Sequence, residues 1–310
     1  MTRTVDRRSI LRSALGLAGL ALAPLPAWSA GPARATSVRL NERLALIQGV
    51  GANVLALRGA EGLLLVDSGA PGHDAALTQA LRALDVGARV HTLFNTHWHR
   101  AQTGGNEAFG RAGARIVAHE KTRLRLATGY YIGPEDRYEP ALPEPARPSE
   151  SFYTEGSLRV ADERIDYGHL LQAHTDGDIY VFFRDSNVLA VGDAAAPAGD
   201  PELDWFGGGW LGGRIDALAR LLELADEHTR IVAAQGPVIG RAELQREHDV
   251  LSRVFDRMVE LIRQGYSTDA MVEAGVTEGH ALTWQDPHKF VYDAHKGFWA
   301  HHNTLSHDIV

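Results

Sequence analysis

Apolar residues along the 310-residue chain fall into short runs that alternate with longer amphipathic stretches. Residues 54–57 and 63–66 are two such runs separated by glycine and charge, the spacing of a β-hairpin. Asp67-Ser68-Gly69-Ala70-Pro71-Gly72 breaks that pattern and leads into a helix expected over 73–84. Residues 90–94 read as a strand, 104–110 as the start of a helix, and 115–118 as a further strand. Residues 128–150 have no period and are rich in proline and polar groups, which predicts a long functional or mobile loop. Strands are expected again at 165–167, 179–183 and 188–191. Ile215, Leu218, Leu222 and Ala225 recur at helical spacing, and 230–233 reads as a strand. A helix over about 242–264 gathers Leu244, Leu251, Val254, Met258 and Leu261 on one side. Strands alternating with helices predict α/β layers in one domain.

The first 35 residues read as an address. Arg7-Arg8-Ser9-Ile10-Leu11 precedes an apolar run over 14–25, and Ala33-Arg34-Ala35 fits a small-x-small cleavage site. Ala27-Trp28-Ser29 is a weaker competitor. The paired arginines resemble the twin-arginine export signal, so the expectation is a periplasmic protein of residues 36–310 with no stable membrane span after cleavage. An ordinary secretory signal or an uncleaved anchor is the alternative. The whole chain has 31 basic and 39 acidic residues; without the leader 26 and 38 remain, a formal charge of −12. That balance disfavours nucleic-acid processing, which needs clustered Lys and Arg against phosphate. Cysteine is absent, so a metal would have to be held by His, Asp, Glu or weaker donors.

Asn95-Thr96-His97-Trp98-His99-Arg100-Ala101-Gln102 carries two histidines two residues apart at the end of an expected strand. In an extended segment such residues share a face, so both rings can converge on one ion; two surface histidines flanking a Trp is the bland alternative. Further stretches follow in order: LLVDSG at 64–69, TGGNE after the histidine pair, AHTDGD at 173–178, VGD at 191–193 and AQGPV at 234–238. Taken together, residues 38–240 resemble the metallo-β-lactamase superfamily, which includes class B β-lactamases, hydroxyacylglutathione hydrolases and lactonases.

The resemblance implies a single-domain αββα four-layer sandwich with a metal site at one edge, here followed by a C-terminal helical extension. It assigns His97, His99 and His174 to a first zinc ion and Asp193 to a bridging position. Asp67 is implied to hydrogen-bond the histidine loop, and Asp178 is read as fixing the loop that carries His174, while Asp176 is left at the surface. The family motif reads His-x-His-x-Asp-His and normally binds a second ion. This chain departs from it: Ala101, Gln102 and Gln235 stand where that ion's Asp and two His would be. Ala has no donor and a carboxamide oxygen is a poor zinc ligand, so one zinc is expected, with iron open.

Three imidazoles leave zinc an open position for a water whose pKa it can lower toward about 7. The expected function is therefore hydrolysis of a small-molecule ester, lactone, thioester or amide, with Asp193 as ligand, water-orienting group or general base. A catalytically silent protein that binds a ligand or partner is the alternative. Arg100 is expected either in solvent or replacing the lost positive charge near Asp193. Tyr130, Tyr131, Trp205, Phe206 and Trp210 are candidate pocket walls, the last three flanking a glycine-rich run that reads as a flexible lid. Packing against the sandwich is the competing reading for these rings. His288, His295, His301, His302 and His307 are read with their aromatic neighbours as a packed C-terminal element, not a second metal site.

Overall fold

The computed structural model describes residues 35–305 apart from positions 86, 88, 134, 135 and 281. The leader expected over 1–35 lies outside the described residues except for its last position. The first half of the chain builds β1 (Thr36–Arg39), β2 (Leu44–Gln48), β3 (Val54–Gly59), β4 (Gly62–Val66), α1 (Asp74–Leu84) and β5 (Val90–Phe94). It continues with α2 (Arg100–Thr103), α3 (Asn106–Arg111), β6 (Arg115–His119), α4 (Glu120–Ala127), β7 (Tyr130–Ile132), β8 (Arg137–Glu139) and β9 (Glu150–Phe152). The second half holds β10 (Glu155–Val160), β11 (Glu163–His169), β12 (Ile179–Phe183), β13 (Val188–Gly192), α5 (Leu211–Leu224) and β14 (Arg230–Ala233). Helices α6 (Arg241–Arg263), α7 (Thr268–Glu273) and α8 (Pro287–Leu305) follow.

Two sheets result. One runs β1-β2-β3-β4-β5-β6-β9 and the other β10-β11-β12-β13-β14. The first is antiparallel through β4 and parallel from there to β9. The second is antiparallel until β14, which joins β13 in parallel.

The apolar runs are continuous because both faces of each sheet are covered. Leu44, Leu46, Leu55, Leu57, Leu64 and Val66 meet Ile179, Val181, Phe183 and Val188 between the sheets. The intervening residues Ile47, Ala56, Leu63 and Leu65 face the opposite way, onto Leu77 and Leu81 of α1. On the far side Tyr180, Phe182, Leu189 and Val191 pack against Leu218, Leu221, Val254 and Met258 of α5 and α6. Three apolar interfaces between four layers give the αββα sandwich.

Residues 128–150 are not the structureless loop that their composition suggests. β7 and β8 form an antiparallel hairpin, Glu144–Ala146 makes a 3-10 turn, and β9 pairs in parallel with β6. Their order comes from contacts distant in sequence, such as Tyr130 against Trp98 at 5.4 Å between ring centroids. The C-terminal histidines lie largely on α8, whose Phe290, Val291 and Ala294 are buried in the α5–α6 core. No metal-ligand cluster occurs there among the described residues, and His307 lies outside them.

Candidate metal centre

β5 ends at Phe94, and the chain turns through Asn95 and Thr96 to present His97 and His99 just before α2. Asp67, directly after β4, holds this turn. Its carboxylate accepts from Thr96 N and Thr96 Oγ1, both at 2.8 Å. To do so Asp67 adopts a φ of 64°, a left-handed conformation that Asp tolerates better than most residues. Burial pushes its carboxyl up to about 8, against the pull of the Thr96 bonds. Gly192, at the end of β13, comes so close to Thr96 that a Cβ would lie 2.7 Å from Thr96 Oγ1. His174 is set by Asp178, which accepts from His174 N at 2.6 Å and from Thr175 N at 2.7 Å.

One ligand atom from each of His97, His99 and His174 lies within 4.8 Å of the other two, so the three can hold a metal ion. The tautomers favour this. His99 Nε2 lies 2.9 Å from Asp204 Oδ2, an acceptor, which leaves Nδ1 as the lone pair. His174 Nδ1 lies 2.9 Å from the Glu202 carbonyl, which leaves Nε2. Those two nitrogens face each other at 3.1 Å, a gap filled by either one proton or one cation. His97 Nδ1 lies 3.2 Å from Thr96 Oγ1, whose own proton goes to Asp67. Its Nε2 is buried with no hydrogen-bond partner. A proton between His99 and His174 leaves that atom orphaned, whereas a cation satisfies all three nitrogens. The residues fit a three-imidazole metal site.

For His97 and His174 electrostatics points the same way. Burial, then the neighbouring His99 and His174, hold His97 well below the usual imidazole range. Burial and then His99 bring His174 down to about 4, which keeps it neutral for coordination. Burial also pulls on His99, but the hydrogen bond and charge of Asp204 outweigh it and raise the ring. Asp193 Oδ2 lies 3.4 Å from His97 Nε2 and accepts from Gln102 Nε2 at 2.9 Å. Burial raises its carboxyl, opposed by His99, Arg214 and Gln102.

The positions expected to be vacant do different things. Gln102 is buried and reaches Asp193, so its amide stands against the carboxylate. Gln235 is exposed and donates to the Gly51 carbonyl at 2.7 Å. Ala101 is half-buried and offers no donor. Arg100 does not approach Asp193: as the first residue of α2 it turns out toward Glu139 of β8, at 3.9 Å. The positive charge behind Asp193 belongs instead to Arg214.

A cavity of about 520 Å³ opens over His99, walled by Trp98, Trp205, Phe206, Tyr292, Ile132 and Leu203. Arg100, Arg137, Glu139 and Lys289 also line it. Three of the expected wall residues lie elsewhere. Tyr130 packs edge-on against Trp98, and Tyr131, which alternation along β7 turns away from the side of Ile132, is exposed and donates to the Asp136 carboxylate; of β7 only Ile132 lines the cavity. Trp210 stacks on His301 at 3.7 Å and packs against Phe255 and Phe298 of the helical layer. The glycine-rich run is not a free lid either. Asp176 N bonds to Gly207 O and Asp204 N to His174 O, and a Cβ on Gly209 would lie 2.0 Å from the His174 carbonyl. Glycine is needed there for close approach to the histidine loop.

Asp176, expected at the surface, pairs bidentately with Arg125 at 2.9 Å, and Arg125 in turn lies over the Trp98 ring. Asp204 was not singled out by the sequence reading. The only available signal was that a coordinating histidine needs a partner for its other nitrogen.

The chain belongs to the metallo-beta-lactamase superfamily, whose family profile matches residues 47–236. A metallo-beta-lactamase from Pontibacter korlensis is similar in fold, with a TM-score of 0.57 at 18% identity over 71% of this chain and 99% of that one. The DIM-1 metallo-beta-lactamase gives 0.56 at 17% identity, over 71% of this chain and 97% of that one. A double mutant of the sec-alkyl sulfatase PisA1 gives 0.62 at 15% identity, over 88% of this chain and 50% of that one. No curated protein matches the chain.

Proposed function

We propose that this protein is a hydrolase with one catalytic metal ion, acting with water on a small ester, lactone, thioester or amide. The observation that carries this reading is the buried Nε2 of His97, which makes no hydrogen bond, grouped with the lone-pair nitrogens of His99 and His174. Zinc suits three neutral imidazoles with a fourth position open, and iron accepts the same donors. Such an ion supplies a Lewis acid that polarises a carbonyl and acidifies water.

The chain's own groups do the rest. Asp193, held by Gln102, orients the attacking water and takes its proton. Asp204 keeps His99 in the tautomer that frees Nδ1. The aromatic walls bind the apolar part of the substrate, and the cavity's size suits a small molecule. With Ala101, Gln102 and Gln235 in place of ligands, a second ion has no adequate seat, which favours substrates with good leaving groups.

A catalytically silent binder is favoured by one observation: the Gln102 amide donates to Asp193 and so weakens the basicity of the carboxylate that the reaction needs. Metal analysis of the purified protein separates the two, together with hydrolysis of an activated ester before and after His97→Ala. The hydrolase reading expects one ion per chain and at least a 100-fold loss of rate in the variant. A protein that binds no metal and has no activity that depends on His97 would sink it. Twin-arginine export to the periplasm is proposed on Arg7-Arg8 with the apolar run over 14–25 and the small-x-small pattern that follow; Arg7→Lys/Arg8→Lys should retain the precursor in the cytoplasm.

A further inference from the structure

Among the described residues Arg214 is the largest fully buried side chain, 0% exposed within an otherwise apolar stretch of α5. Its Nη1 donates to the backbone carbonyls of Asp193 at 2.8 Å and Glu202 at 3.2 Å. Its Nη2 donates to Glu247 Oε1 of α6 at 2.9 Å. Glu247 in turn accepts from Ala196 N at 3.0 and 3.2 Å, three residues beyond Asp193. The same Glu202 carbonyl accepts from His174 Nδ1, and Asp204, two residues on, bonds His99 Nε2.

One guanidinium therefore stands behind both loops that complete the candidate centre. We propose that Arg214 is a positioning residue for the metal: with Glu247 it clamps the Asp193 and Glu202–Asp204 loops so that His174, His99 and Asp193 face one point. The proposal rests on the mononuclear metallohydrolase reading above.

A role in stability alone does not account for the pair. Replacing a buried ion pair by apolar residues of similar volume is often neutral or stabilising, so the attraction between the two charges does not by itself account for the pair. What apolar residues cannot supply is a donor for two inward carbonyls at once. Arginine can, because its planar fork carries several N–H groups in fixed directions, whereas lysine is a single point charge.

The test uses cobalt(II) as the metal probe on the full chain. In Arg214→Met/Glu247→Leu the metal-free protein should still fold and melt cooperatively, at a temperature lowered by the partners that the Asp193 carbonyl and Ala196 N lose. Its cobalt affinity should fall 10–100-fold, with altered visible absorption bands, as for groups that orient metal-ligating histidines. Wild-type affinity and spectrum in this variant would overturn the clamp. Should the double variant fail to fold, Arg214→Lys keeps a charge but offers one nitrogen where Nη1 serves the two carbonyls and Nη2 serves Glu247, so it cannot hold all three; it should lose about tenfold in cobalt affinity. Unchanged affinity there would likewise overturn the proposal. A wild-type protein that binds no cobalt would remove the metallohydrolase reading itself and the clamp with it. Cobalt binding that is equal in wild type and variants removes the clamp alone.

Discussion

Gln102 Nε2 and Asp204 Oδ2 both make 2.9 Å bonds to residues of the centre, yet only one of the two was legible in the sequence. Gln102 sits inside a motif, so its departure from the pattern could be read from spacing. Asp204 meets His99 across 105 residues of chain, and no local periodicity encodes such a meeting. The effect of Asp204 is testable. Asp204→Asn can present an amide donor to Nε2 and so unsettle the His99 tautomer; chelator competition should show metal bound 10–100-fold more weakly. Unaltered affinity would show that the carboxylate is not needed for orientation. Aromatic residues misled the reading for a similar reason. The sequence gives Tyr130, Tyr131 and Trp210 their size, while tertiary packing sets their direction.

At the level of elements, several strands buried on both faces were legible, as at β5, β12 and β14, whose bounds match the predicted runs, but β2, equally buried, was not picked out. β7, β8 and β9 were not, because their three-residue segments are ordered by neighbours and not by their own pattern. Where β6 and β11 end, His119 and His169 stack at 3.7 Å with their planes within 7°. His119 Nε2 donates to the Tyr153 carbonyl at 3.1 Å and His169 Nε2 to the Asp176 carbonyl at 3.0 Å, while burial of both rings, one stacked on the other, favours the neutral form. Burial, then the facing His119, brings His169 down to about 4. Unfolded, the ring titrates near 6.5 and binds the proton first. This group's stabilising effect is therefore complete above pH 6.5 and is lost as pH falls toward 4. His169→Gln should shrink the difference in melting temperature between pH 7.5 and pH 5, even if it lowers both values. An identical difference would show that the stack does not sense acid.

Across the whole molecule, the two sheets are packed along one broad apolar interface, and the candidate ligands come from both. His97 and His99 follow β5 of the first sheet, while His174 and Asp193 lie beside β12 and β13 of the second. A bound ion therefore joins the sheets at their edge. Ligation to the folded state alone should raise the melting temperature with added zinc, by about 4 kcal/mol of stability at 1,000 times the dissociation constant. Chelation should reverse the gain, and a melting temperature indifferent to both would contradict such a cross-link. Among the described residues, no helix is long and apolar enough to cross a membrane.

The boundary between the sheets is also a boundary in the chain. Strands β1 to β9 end at Phe152 and strands β10 to β14 begin at Glu155, so each sheet is spelled by one uninterrupted stretch. Neither stretch contains a full set of imidazoles. The seat for a cation comes into being only when the two finished halves dock, so during refolding metal uptake should trail the burial of the shared interior.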